Sequence, residues 1–285
     1  MANYGRNFAP DQRFYLGPQG GTLEELRGVQ GVDPGWDKSE TVLNVLGEGY
    51  AGRALEGELT HSLSVNRLIV TSTDPAVSWF GTTLAGALTY GPNQSHGQDF
   101  IFTSGYLNTY SSSCSIGDVP TADLGLSIYG EMGAGTRGTL ATNTVAPSIP
   151  LPANISLNVP GYSSNAVQSY DLNLALERRT VPTIGNNFTP SEVLLNLPVE
   201  ATLSFEMTVN EYEVPDIRTV LCGGTSSTLT IDLNDCNASK IQGFSLPSGE
   251  AVAFSLSAGI RENMSVNVTY KSYLNSVADV AAVFS

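Results

Sequence analysis

Leu197-Pro-Val-Glu-Ala-Thr-Leu-Ser-Phe-Glu-Met-Thr-Val-Asn210 is the stretch that decides the fold class. Within it, Leu203, Phe205, Met207 and Val209 alternate with Thr202, Ser204, Glu206 and Thr208. A period of two sends the apolar set to one side of an extended chain and the polar set to the other, as a half-buried antiparallel strand requires. The pattern also occurs earlier, as Leu55-Glu-Gly-Glu-Leu-Thr-His-Ser-Leu-Ser-Val-Asn66. With Asn66 set on Asn210, Glu56 falls on Glu200, Leu59 on Leu203, Leu63 on Met207 and Val65 on Val209. One β unit used twice is the expectation.

Working outward, Val167-Gln-Ser-Tyr-Asp171 echoes Val29-Gln-Gly-Val-Asp33, and Gly243-Phe244 answers Gly105-Tyr106. Each half closes on a hairpin. The first joins Tyr106–Ile116 to Ala122–Tyr129 across Gly117-Asp-Val-Pro120, and the second joins Ala251–Ser257 to Met264–Tyr270. Between the halves, Pro147, Pro150 and Pro152 stiffen an extended segment and exclude helix. The expected organisation is therefore a first β unit with an N-terminal arm over 1–146, a Pro-rich linker over 147–153, and a second β unit over 154–285. The expected fold class is all-β: two tandem antiparallel sandwich or barrel units with one or two short helices. Thr22-Leu-Glu-Glu25 has the form of a capping box and predicts a helix over Thr22–Gly28. Thr189–Leu195 reads as a second short helical turn.

A chain of 285 residues can bury one large core or two ordinary ones. It has no apolar run near the roughly 18–20 residues of a spanning helix, and its start has no apolar segment of the secretory kind. The formal net charge is −14, and lysine occurs only at Lys38, Lys240 and Lys271. Such a surface repels phosphate rather than gripping it. It keeps a protein soluble, and it suits a surface that must lie beside DNA or a membrane without sticking. Cys114, Cys222 and Cys236 lack zinc-like spacing. They are expected to be buried or inert thiols, although Cys222 and Cys236 could bridge a loop.

Catalytic chemistry is not expected. The histidines are His61, on the apolar phase of a strand, and His96, in a polar loop without a third ligand nearby. Asp33-Pro-Gly-Trp-Asp37 and Asp232-Leu-Asn-Asp-Cys-Asn237 lack the oxygen spacing and closing Glu of a calcium loop, so they read as turns. No enzyme activity, cofactor or metal follows from the motifs present. Glu56 and Glu58 fall two apart on the polar face of their strand, with Glu200 and Glu206 in the same phase of the second copy. Together they suggest an acidic stripe, either solvated or lumen-facing.

At Tyr106-Leu-Asn-Thr-Tyr-Ser-Ser-Ser-Cys-Ser-Ile-Gly-Asp-Val-Pro-Thr-Ala-Asp-Leu-Gly-Leu-Ser-Ile128 the chain resembles tail tube-type virion structural proteins of tailed bacteriophages. The resemblance rests on an aromatic strand, a Ser-rich strand, a Gly-Asp-x-Pro-Thr turn and an alternating strand. It implies a unit whose long strands join those of neighbours into rings, stacked as a hollow tube through which DNA leaves the capsid. Proteins of this kind mostly carry one unit and form hexameric rings. Two units in one chain imply either a trimeric pseudo-hexamer or a hexamer. The implied partners are further copies of the chain, other tail proteins, and genomic DNA passing without specific binding, with no membrane. The implied location is the virion tail, after synthesis in the host cytoplasm. The N-terminal arm, the Gly91–Asp99 loop and the apolar tail Val277–Phe284 are expected to dock on adjacent subunits. The alternatives are another phage ring or decoration protein (neck, tail completion, baseplate or head), or a carbohydrate-binding, adhesin-like β-sandwich using Trp36 and Trp79.

Overall fold

The computed structural model describes residues 12–37, 40–47, 49–55, 60–71, 74, 78–89, 99–136, 138–144, 146–151, 154–159, 162–163, 167–181, 190–208, 227–257 and 264–284. The first half contains β1 (Arg13–Pro18), β2 (Leu23–Glu25), β3 (Val29–Asp37), β4 (Glu40–Val45), β5 (Gly49–Leu55), β6 (Thr60–Leu68) and β7 (Leu84–Thr89). It continues with β8 (Asp99–Ser115), β9 (Thr121–Ile128), β10 (Met132–Gly135) and β11 (Leu140–Ala141). The second half contains β12 (Ile155–Val159), β13 (Tyr162–Ser163), β14 (Val167–Ala175), β15 (Arg178–Val181), β16 (Glu192–Leu195) and β17 (Val199–Thr208). After these come β18 (Ser227–Asn234), β19 (Lys240–Ser257), β20 (Ser265–Leu274) and a short helix α1 (Val277–Ala282). The fold is all-β; among the described residues helix is confined to short segments and the sheets do not close.

Neither predicted helix near a sheet edge forms. Leu23–Glu25 instead pairs with β1, Tyr15 facing Glu25, and Glu192–Leu195 forms a hairpin with β15. One turn of helix fixes several dihedrals for a single hydrogen bond. A ladder beside either segment outcompetes it.

Both halves are built in the same strand order. The first runs β3-β6-β9-β8-β7-β1-β2 and the second runs β14-β17-β20-β19-β18-β12-β13. Each inserts a two-stranded hairpin at the same place, β4–β5 after β3 and β15–β16 after β14. Three irregularities in the ladders also coincide. The shift after Val29↔Arg67 recurs after Val167↔Met207. The shift after Leu107↔Leu126 recurs after Ala251↔Tyr270. The shift after Leu84↔Gly105 recurs after Ser227↔Gly249. A β-bulge is a local insertion that bends one strand and re-aims the residues beyond it. Its recurrence at three matched places ties the halves residue by residue.

This correspondence corrects two sequence anchors. Val29 and Val167 do match, but Leu63 corresponds to Leu203 and Gly105 to Gly249. The pairing of Leu59 with Leu203 is thus four residues out, and that of Gly105 with Gly243 six. Both errors are even numbers. In a strand of period two, an even slip leaves every side chain on its proper face, so alternation alone cannot detect it. The structural counterparts of Glu200 and Glu206 are accordingly Thr60 and Asn66.

Side-chain volumes are exchanged between matched positions. A Cβ on Gly125 would lie 2.3 Å from Thr109 Oγ1, its cross-strand neighbour. At the matched pair the large and small residues change strands, with Thr269 facing Ala253. Gly125→Thr alone is therefore expected to cost about 1–3 kcal/mol by overpacking. Adding Thr109→Ala should recover most of that loss. Melting temperatures of the two single variants and the double variant would measure the coupling, and additive effects would contradict the packing argument.

The halves share one apolar core. Leu63, Leu107, Tyr110 and Leu124 from the first join Leu172, Leu174, Leu203 and Phe244 from the second, all nearly inaccessible. The Pro-rich segment hydrogen-bonds to both, Ser148 N–H donating to Val70 O and Leu151 N–H to Asn234 O. The C-terminal tail folds onto its own chain instead of projecting to a neighbour. Val280 and Val283 are fully buried, and Phe284 bridges Phe244 of β19. In the first half that side of the long strand is taken by β10, where Ala134 pairs with Phe100. Ser276 caps α1 by accepting the Asp279 N–H.

Candidate assembly surface

Three features organise this molecule's surface: a junction between the halves, a polar face running across it, and at each end an edge that is unpaired among the described residues.

The junction is the pairing of β8 with β14, from Ser115↔Ser169 to Thr109↔Ala175. On its apolar side Tyr110 and Leu174 face one another, as do Ser112 and Leu172, and all four are buried. The Ser112 hydroxyl and the Tyr170 phenol share a hydrogen bond of 3.1 Å. Arg178 reaches back from β15, donating from Nε to Leu107 O at 3.2 Å and lying over the Tyr106 ring. Burial lowers its pKa, opposed by the neighbouring tyrosines Tyr106 and Tyr129. Beneath the junction Tyr110 donates to Asp74 Oδ2 at 3.3 Å and accepts from Gln242 Nε2 at 3.2 Å. Phe284 packs edge-on against its ring. Burial, then the charge of Asp74, pushes the Tyr110 phenol well above its ordinary pKa.

The polar face follows from register. Eight strands run side by side as β3-β6-β9-β8-β14-β17-β20-β19. Across them one row reads Gly35, Ser62, Ser127 and a second reads Ser111, Asn173, Thr202, Lys271. The acids on this face include Asp33, Asp123, Asp171, Glu200, Glu206 and Glu250, against Lys271. Lys271 donates to Glu200. That hydrogen bond is the main cause holding Glu200 below the usual carboxylate range and raising Lys271. Asp171 moves the other way, its pKa raised by partial burial. Glu56 and Glu58 lie outside the described residues.

At one edge, β3 pairs only with β6 among the described residues. Its Trp36 is 71% exposed and Pro34 is also exposed. At the other edge, residues 250–257 of β19 pair only with β20 among the described residues. There Phe254 is 47% and Leu256 49% exposed, with Val252 beside them. Sequence reasoning passes over both edges. Val252, Phe254 and Leu256 recur at the period that marks core residues, and nothing local says that the covering strand is absent.

The remaining candidates resolve individually. His61 is half-buried, on the apolar side of β6 opposite Trp36 and Ile128, and its Nδ1 has no hydrogen-bond partner. His96 lies outside the described residues, as does most of the Gly91–Asp99 loop and the arm up to residue 11. Cys114 is buried, its thiol pushed up to about 11 by burial and then by Asp118. Cys236 is exposed on a surface turn, and Cys222 lies outside the described residues. In that turn Asp235 Oδ1 accepts the N–H groups of Asn237 and Ser239, which lowers its pKa. Among the described residues no cluster of three His, Cys, Asp or Glu is arranged for a metal. No helix among the described residues is long and apolar enough to cross a membrane.

No protein-family model matches the sequence, and no curated protein matches it.

Proposed function

We propose that this chain is a structural subunit of a tailed-bacteriophage virion, the repeating component of a tail tube that conducts DNA during ejection. The observation that carries the reading is the polar face of eight antiparallel strands, continuous across both halves and, among the described residues, open at both edges. Hydroxyl, amide and acidic groups repel or ignore phosphate. A conduit needs that, and a nucleic-acid-binding surface needs the opposite. In this proposal each chain supplies two copies of one unit, the product of an internal duplication, so three chains form a six-unit ring. Rings stack, the polar face lines the lumen, and other tail proteins bind the ends.

Negative-stain electron microscopy of the purified protein, with mass per ring from light scattering, tests this. Stacked rings or tubes of three chains per ring are expected. Rings of six chains would keep the tube and remove the pseudo-hexamer. Single unstacked rings would favour a neck or baseplate position, and a stable monomer at high protein concentration would overturn the assembly altogether.

A further inference from the structure

Among the described residues the intramolecular junction has no second instance, yet the molecule contains both halves of one. In the first unit, the C-terminal part of β8 is flanked by β9 on one side and β14 on the other. The matching part of β19 is flanked by β20 alone, and the strand matching β14 is β3, whose outer side is unpaired among the described residues. We propose that residues 250–257 of one copy pair antiparallel with β3 of a second copy of this chain, in the register of the β8–β14 junction. The proposal rests on the assembling-subunit reading for its context, but its evidence is the repeat itself.

The register comes from the matched ladders. Tyr110 corresponds to Phe254 and Ser112 to Leu256. Leu174 corresponds to Trp36 and Leu172 to Pro34. Since Tyr110 faces Leu174 and Ser112 faces Leu172, Phe254 of one copy faces Trp36 of the next and Leu256 faces Pro34. On the opposite side Ser255 faces Gly35 and Ser257 faces Asp33, which extends the polar face without a break.

Exposure supports the pairing. The facing residues on the apolar side of the internal junction, Tyr110, Ser112, Leu172 and Leu174, are at most 1% exposed, whereas Trp36, Phe254 and Leu256 are open to water at the matched places. Large apolar residues on bare strand edges are an association hazard that natural sheets usually blunt. Pro34 removes one ladder donor at most. Aromatic and aliphatic side chains across from one another then gain the contacts they lack in the monomer. The contact is head-to-tail, so it propagates until the rotation closes a ring.

Paired cysteines test the register. In a background with Cys222 and Cys236 replaced by Ser, Trp36→Cys with Phe254→Cys is expected to give an oxidised ladder of linked chains on non-reducing gels. Trp36→Cys with Glu250→Cys, three ladder positions away and on the opposite face, should not. Mixing the two single variants should link one of each. Because these positions are exposed in the isolated chain, Trp36→Glu and Phe254→Arg should each abolish association in sedimentation velocity while leaving the melting transition of the monomer in place. Links equal to those of the out-of-register control, or Trp36→Cys chains linking mainly to themselves, would overturn the proposal. So would full assembly of either charged variant. In-register links without stacked rings would keep the docking and remove the tube. Stacked rings without the links would do the reverse.

Discussion

Asp74→Ala is expected to destabilise the fold by about 3–5 kcal/mol, and Arg67→Met in the same chain to restore most of the loss. Arg67 is a guanidinium at 0% exposure inside an apolar strand face, with Nη2 3.3 Å from Asp74 Oδ2. Its Nε and Nη1 find no hydrogen-bond partner. Removing the carboxylate strands a buried cation that, unlike a lysine, cannot shed its proton. The matched residue in the second half is Met207, also buried, so the fold accepts a thioether of comparable length at this ladder position. Replacing a buried ion pair by an apolar side chain is often neutral or stabilising, whereas breaking one is not. Urea unfolding of the two single variants and the double variant would separate these terms, provided the denaturant slope is unchanged. A loss under about 1 kcal/mol for Asp74→Ala would mean that the pair behaves as a solvated one.

The same comparison explains how much is legible in the residues alone. Alternation in Leu203–Val209 and Leu124–Ile128 identifies strands and faces, because burial on one side of a sheet imposes a period of two wherever it occurs. It also suggests a repeated unit. It does not supply the offset: Leu59 and Leu63 are equally good partners for Leu203 when only phase is read, and the bulge after Val29↔Arg67 is invisible in residue types. The Thr22-Leu-Glu-Glu25 motif misleads because capping is worth little beside a neighbouring ladder. The acidic stripe is half legible. Glu200 and Glu206 lie on the polar face as their phase requires, yet Asp33, Asp123 and Asp171 join them only through pairings between strands distant in sequence. The edges are not legible at all, since an edge is defined by a strand that is missing.

If the polar face lines the proposed conduit, reversing its charge should convert a surface that does not bind DNA into one that retains it. Glu206→Lys and Asp171→Lys face the same side of adjacent strands, and Glu200→Lys joins them on β17. In the combined variant Asp33, Asp123 and Glu250 would remain against four lysines, the three introduced and Lys271. None of the three substituted residues is buried, so the fold should survive, although Glu200→Lys also sets a like charge beside Lys271. Each lysine that neutralises a phosphate adds roughly 0.9 to the slope of log affinity against log salt for duplex DNA, and a closed ring multiplies the sites. Assembled wild-type protein is accordingly expected to show no binding to a labelled duplex in low salt by fluorescence anisotropy. The triple variant should bind and release steeply as salt rises. If the chain is the tube subunit proposed above, the same variant in reconstituted particles should slow ejection without changing tube length. Binding by the wild type equal to that of the variant would mean that DNA is held elsewhere on the chain. Absence of binding by an assembled variant would mean that this face does not line the passage, and the conduit would have to be sought on the opposite side of the sheet.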